Sequence, residues 1–281
     1  MIKAKTVSTL IPTFNRKIFL KKTIESCLNQ TINHEIIVCN HGGTDGTDEM
    51  ISEFEGKIRY IKRNKDHGLH FCMLEGIMEA KGEYINLLYD DDWIEPKFIE
   101  ECMKYFDDPD VGFVFSAANI YDDSRKKFIS TDQNIFLPGS GTYNVSKYEF
   151  FFLRSLISPT SFIIRKQDLI DSLFQGKLPF SKYSYKGVGP DRLMLLICML
   201  RYKKFRYVSE SLSYYRSHAG SITVDSYADE KKSYMIKKAY AEVIKYYYTL
   251  KYGRYFSFFQ NKYIIYLRYH FNMFLNKILN S

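Results

Sequence analysis

Short apolar runs alternate with amphipathic stretches through the first 115 residues. Thr6–Ile11 reads as a buried strand closed by Pro12, and Phe19–Cys27 follows with helical spacing. Glu35–Cys39 is a second strand, ended by the turn-rich run His41-Gly42-Gly43-Thr44-Asp45-Gly46-Thr47. The pattern then predicts a helix over Asp48–Phe54, a strand over Ile58–Ile61, a helix over Leu69–Ala80 and a strand over Tyr84–Tyr89. Pro96 suits the first turn of a helix running to Phe106, and Val111–Ser116 is a further strand. Alternating units of this size imply an α/β fold, a mostly parallel Rossmann-like sheet with helices on both faces. In such sheets ligands gather at the carboxyl ends of the strands, here after Ile11, Cys39 and Tyr89.

From 117 to 190 the periodicity loosens. Asp122–Lys127 is a charged turn, Pro138–Gly141 a loop, and Thr160–Ile164 a strand. Helical spacing returns over Asp191–Tyr202, with a strand at Arg206–Ser209. Ala228–Leu279 reads as two amphipathic helices broken near Tyr252-Gly253. The expected division is a body of 1–227, itself split at 116, followed by helices over 228–281.

Composition sharpens that division. The chain has 281 residues and a formal charge of +8, of which residues 228–281 hold ten Lys and Arg against three acids. That net +7 leaves +1 for residues 1–227, so the body is near neutral and the appendage basic. The same appendage contains 15 of the 46 Tyr and Phe residues. Basic, aromatic helices without a membrane span suit an anionic membrane surface; packing against the body or in a homodimer is the competing reading. Nucleic acid is not expected, because no recognised module accompanies the charge. Cys27, Cys39, Cys72, Cys102 and Cys198 form no C-x-x-C pair and read as buried reduced thiols. The first residues enter a strand with no long apolar leader, which places the expected site of action in the cytoplasm.

Three loops carry candidate chemistry. Asp90-Asp91-Asp92 ends an apolar strand, and adjacent carboxylates repel unless a cation or solvent neutralises them. Hard oxygen donors favour Mg²⁺ or Mn²⁺; a solvated acidic turn is the plain alternative. Pro12-Thr13-Phe14-Asn15-Arg16 presents backbone groups and a guanidinium, and equally suits a turn and helix cap. The Asn40–Thr47 loop has glycines that admit a ligand close to the backbone. Dinucleotide and P-loop fingerprints are absent.

In this order the motifs VSTLIPTFNR, HEIIVCNHGGTDGT and GEYINLLYDDDW resemble the family-2 inverting glycosyltransferases of GT-A fold. Asp66-x-Gly68-Leu69 extends the match, as does Tyr215-Arg216-Ser217-His218-Ala219-Gly220-Ser221-Ile222. The resemblance implies a nucleotide-sugar donor held by Pro12, Thr13, Asn15, Arg16, Asn40, Asp66, Gly68, Asp90 and Arg216. It implies a divalent ion, Mn²⁺ or Mg²⁺, at Asp91 and Asp92 with His218. Asp191, at the start of a late helix, matches the general base that takes the acceptor hydroxyl's proton; a carboxylate that merely suits a helix's first turn is the competing reading. UDP is the first expectation for the nucleotide, with dTDP and GDP as alternatives. The implied acceptor is a glycan or polyprenyl-diphosphate-linked glycan of the bacterial surface, reached from the inner face of the cytoplasmic membrane. Three positions depart from the pattern: Asn40 replaces an acid, Tyr89 stands at the first acid of D-x-D-D, and Pro190 replaces the Glu before the base. Two other classes fit the same sheet. One is a nucleotidyltransferase, whose glycine-rich basic loop is missing here. The other is a binding-only membrane scaffold.

Overall fold

The computed structural model describes residues 6–132, 137–155, 157–174, 178–179, 190–218 and 230–256. Ten strands form one mixed sheet: β1 Val7–Thr13, β2 Glu35–His41, β3 Arg59–Arg63, β4 Tyr84–Leu87, β5 Trp93–Ile94, β6 Val111–Asp122, β7 Lys127–Asp132, β8 Gly141–Asn144, β9 Phe162–Arg165 and β10 Lys204–Ser217. Their order is β3-β2-β1-β4-β9-β6-β10-β5, with β7 on β6 and β8 on β10. β3, β2, β1 and β4 are mutually parallel. β9 then runs antiparallel between β4 and β6, and β10 runs parallel to β6. The four parallel strands and the β6–β10 pair thus point the same way, and their carboxyl ends share one rim of the sheet.

Eight helices accompany the sheet among the described residues: α1 Lys17–Leu28, α2 Thr47–Ile51, α3 Leu69–Glu79, α4 Phe98–Met103, α5 Val145–Arg154, α6 Lys166–Ser172, α7 Pro190–Arg201 and α8 Glu230–Phe256. Strand residues alternate between two cores, as period two demands. Leu10, Ile37, Ile85, Phe113 and Phe115 face α3, α5, α6, α7 and α8. Ile11, Ile36, Val38 and Val114 face α1, α2 and α4 through Leu20, Ile24, Met50 and Phe98. Burying one such aliphatic side chain contributes about 1.5–3 kcal/mol, so the two cores hold the rim in place.

Several sequence expectations change. Pro12 does not close β1; it sits inside it, opposite Cys39, before Thr13 pairs with Asn40. The strand expected at Arg206–Ser209 extends to Ser217, because its bulged pairing with β6 continues past Val208. The helix expected to break near Tyr252-Gly253 runs unbroken to Phe256. A lone glycine costs a helix only about 1 kcal/mol, and Lys251 on the preceding turn is anchored to Glu149 of α5. The second helix expected in the tail lies outside the described residues. One face of α8 enters the core through Ala239, Val243, Ile244 and Tyr247, while Tyr234, Met235 and Tyr252 are exposed. All five cysteines are free and buried. Among the described residues no helix is long and apolar enough to cross a membrane.

Candidate active site

The first loop leaves β1 at Thr13 and reverses at Asn15, whose φ of +54° is left-handed, a conformation Asn tolerates better than most residues. This reversal lets Asn15 Oδ1 accept from the Thr44 N–H at 2.7 Å, which ties the first loop to the second. The two loops touch at Gly43, where a Cβ would stand 2.9 Å from Asn40 Oδ1 and 3.0 Å from Asn15 N. The third loop joins through Asp66, whose Oδ1 lies 2.8 Å from His41 Nδ1 and accepts from the Gly68 N–H at 2.6 Å. Phe14 stacks on the other side of His41, ring centroids 5.0 Å apart. Asn15, Asp66 and Gly68 therefore belong to one surface.

Asn40 is turned into that surface's foundation. Its Oδ1 accepts from the Gly43 N–H, and its Nδ2 donates to the Tyr60 hydroxyl at 2.9 Å. Tyr60 in turn donates to Asp48, which also pairs with Lys62. The amide is committed to its own loop and to β3.

The acidic turn follows β4. The Thr13 hydroxyl donates to Asp90 Oδ2 at 2.8 Å. Arg16 Nη1 lies 3.3 Å from Asp90 Oδ1 and 2.6 Å from Asp91 Oδ2. His218 Nε2 is 3.0 Å from the same Asp91 oxygen. Burial and then the Asp91 charge push the Asp90 carboxyl up to about 7, against the pull of Arg16 and Thr13. Burial opposes the charge on Arg16, yet Asp90 and Asp91 outweigh it and raise its pKa. Thr13, Arg16, Asp90, Asp91 and His218 thus form one cluster. Asp92 points elsewhere: the Thr160 hydroxyl donates to its Oδ2 at 2.7 Å and the Arg216 N–H to its Oδ1 at 3.0 Å. Arg216 also faces inward, donating Nε to the Asp91 carbonyl and Nη1 to Asp123.

No group of three or more His, Cys, Asp and Glu side chains among the described residues is arranged as a metal cage. Mg²⁺-type ions, however, are held by one or two carboxylates together with substrate phosphates. Asp90 and Asp91 face the Arg16 guanidinium, and the His218 imidazole faces Asp91, so these two carboxylates are the donors nearest to such a set.

Asp191 opens α7. Its Oδ1 accepts from the Arg192 N–H at 2.9 Å, and the Tyr240 hydroxyl of α8 stands 3.4 Å from Oδ2. Burial raises its carboxyl above the usual range. Burial also pushes the Tyr89 phenol up, followed by the negative charge of Asp191 and that of Asp92 and Asp91. Tyr89 therefore lies within electrostatic reach of both Asp191 and the acidic turn. The GVG segment before Pro190 and residues 219–222 of the last motif lie outside the described residues.

His41, Thr23, Thr160 and Tyr240 escape a sequence reading, and Phe14 escapes it as a ring stacked on His41. Each acts through a contact between segments far apart in the chain, which no local period encodes. Only Phe14 carried a signal, as the aromatic position of the first loop.

A sheet whose parallel strands bring three loops and an acidic turn to one rim is the GT-A arrangement. The family model for glycosyl transferase family 2 matches residues 8–173, and the chain belongs to that family. A chondroitin synthase from Pasteurella multocida is 35% identical over 104 residues, 36% of this chain and 11% of that one. Glycosyltransferase GlyA from Streptococcus pneumoniae is 26% identical over 233 residues, 77% of this chain and 31% of its own length. This chain therefore spans well under half of these two relatives. Among solved structures, S. aureus TarS 1–349 in complex with UDP superposes with a TM-score of 0.62 at 16% identity, covering 91% of this chain and 72% of that one.

Proposed function

We propose that this protein is a metal-dependent inverting glycosyltransferase that takes a sugar from a UDP-sugar and passes it to a glycan or polyprenyl-diphosphate-linked acceptor in bacterial surface polysaccharide synthesis. The observation that carries this reading is the cluster that Thr13, Arg16, Asp90, Asp91 and His218 form at the carboxyl rim of the parallel strands. The choice of UDP draws on TarS, whose structures hold UDP and UDP-GlcNAc.

In this reading the donor's nucleoside lies over Phe14, Asn15, Asp66 and Gly68, and its diphosphate lies at Thr13, Arg16 and Asp90. Asp91, with Asp90 and His218, would hold Mn²⁺ or Mg²⁺, which supplies Lewis-acid neutralisation of the diphosphate charge. Asp191 takes the acceptor hydroxyl's proton as that oxygen bonds to the anomeric carbon. The bond from that carbon to the diphosphate oxygen breaks, and the electron pair leaves with the nucleoside diphosphate. A carboxylate with a raised pKa is a stronger base, which suits the task. The exposed Lys231, Tyr234, Met235, Lys245 and Tyr252 of α8 are the surface we assign to an anionic cytoplasmic leaflet.

The test is a panel of nucleotide sugars incubated with acceptor glycan, with and without Mn²⁺. Release of nucleoside diphosphate that depends on the metal is the expected result. Release of pyrophosphate would instead mark a nucleotidyltransferase, and binding without release a scaffold.

A further inference from the structure

The three carbonyl groups of the acidic turn all accept hydrogen bonds from side chains of two remote elements. The buried Thr23 hydroxyl, on α1, points between two of them, 2.7 Å from the Asp92 carbonyl and 3.0 Å from that of Asp90. Its single proton is shared, with the shorter contact to Asp92. Arg216, on β10, takes the carbonyl between: Nε donates to Asp91 O at 2.9 Å. Arg216 is itself fixed. Its Nη1 donates to Asp123 at 2.6 Å, and its guanidinium carbon lies 4.8 Å from the Phe19 ring and 5.0 Å from the Trp93 ring. Phe19 and Thr23 are four residues apart, one above the other on the same face of α1. The turn is therefore gripped by α1 from one side and by β10 from the other.

We propose that Thr23 and Arg216 are positioning residues, a clamp that aims the Asp90 and Asp91 carboxylates at the donor's diphosphate and its cation. The clamp rests on the reading of Asp90-Asp91 as the donor site. Adjacent like charges left to themselves swing apart. With all three carbonyls held inward, the Asp90 and Asp91 side chains keep the direction that brings them to Thr13, Arg16 and His218. Asp92 is part of the grip, since Thr160 and the Arg216 N–H occupy its two oxygens. Arg216 thereby acts through the turn, with no contact to the donor required of it.

Trp93 is the only tryptophan of the chain and follows the turn directly. Quenching of its fluorescence by Mn²⁺ in the presence of UDP reads occupancy without turnover. Thr23→Val keeps the shape and removes the donor; the apparent Kd for Mn²⁺ with UDP should rise about five- to tenfold, the worth of one lost hydrogen bond. Thr23→Ser should return it to within about twofold. Arg216→Lys, which keeps the charge and loses the fork, should shift it in the same direction. Circular dichroism identifies which variants are folded, and either of the two substitutions suffices. A folded Thr23→Val or Arg216→Lys that titrates as the wild type overturns the clamp, provided Asp91→Ala loses the quench. If Asp91→Ala also titrates as the wild type, the donor-site reading fails, and the clamp with it.

Discussion

The Tyr240 hydroxyl of α8 reaches the Asp191 carboxylate of α7 at 3.4 Å, so the basic appendage touches the candidate base. Arg192 completes the contact, its guanidinium 4.4 Å from the Tyr240 ring. A hydrogen bond to the charged carboxylate favours that form and pulls the pKa down, against the burial that raises it. The base must be ionised to work. Activity should therefore fall as pH drops through an Asp191 pKa that lies above the ordinary carboxylate range near ~4. Tyr240→Phe removes the restraining bond, and the acid limb of kcat/KM should move to higher pH by about 0.4–1 unit. A limb left in place would mean that Asp191 does not set it.

Asp191→Asn removes the proposed base and keeps the shape. Transfer should drop by about 10²–10⁴ in kcat, the range one positioned base contributes. Donor affinity, measured by calorimetry with UDP, should change little. Survival of turnover would place the base elsewhere.

Asp91→Asn should act on the donor side. The Asp91 Oδ2 atom faces Arg16 and His218 together, so losing its charge leaves the Arg16 guanidinium with Asp90 as its one remaining carboxylate partner in the cluster. Transfer should fall by on the order of 100-fold or more, since a Lewis acid is worth several kcal/mol of charge stabilisation. The Mn²⁺ concentration giving half-maximal rate should rise. Kinetics over a Mn²⁺ series measure both.

Gly82→Ala probes the opposite end of the sheet. An added Cβ would stand 2.5 Å from Ser8 N, a backbone atom that cannot rotate away. Overpacking of this kind costs about 1–3 kcal/mol, so the melting midpoint should drop by several degrees. Activity below the transition should remain near the wild type, because Gly82 lies two residues before β4, beyond the strand end opposite Leu87 and the acidic turn.

Much of the fold is legible because β1, β2, β4 and β6 are continuous apolar runs between turn signals, the mark of strands buried on both faces. β9 was legible as a strand, although its antiparallel insertion between β4 and β6 was not, since periodicity carries no direction. β5, two residues long, has no period to read. Within the site, residue types at the strand ends pointed to Thr13, Arg16, Asp90 and Asp91, the family resemblance added His218, and the five do meet. The inward turn of Asn40, Asp92 and Arg216 was not legible. Their orientation depends on Tyr60, Thr160 and Asp123, partners that only the folded sheet brings close.

The pairing of Arg16 with Asp90 and Asp91 bears on how an anionic donor is admitted. Arg16, Arg216 and His218 each face a carboxylate, so this rim presents little net positive field. A diphosphate arriving there competes for a guanidinium already engaged, and the encounter is an exchange of counter-charges. Association rates should then depend weakly on ionic strength, unlike those of sites that steer anions through an uncompensated basic funnel. Selectivity would be exercised at the moment of exchange, after contact, and long-range attraction would contribute little to it.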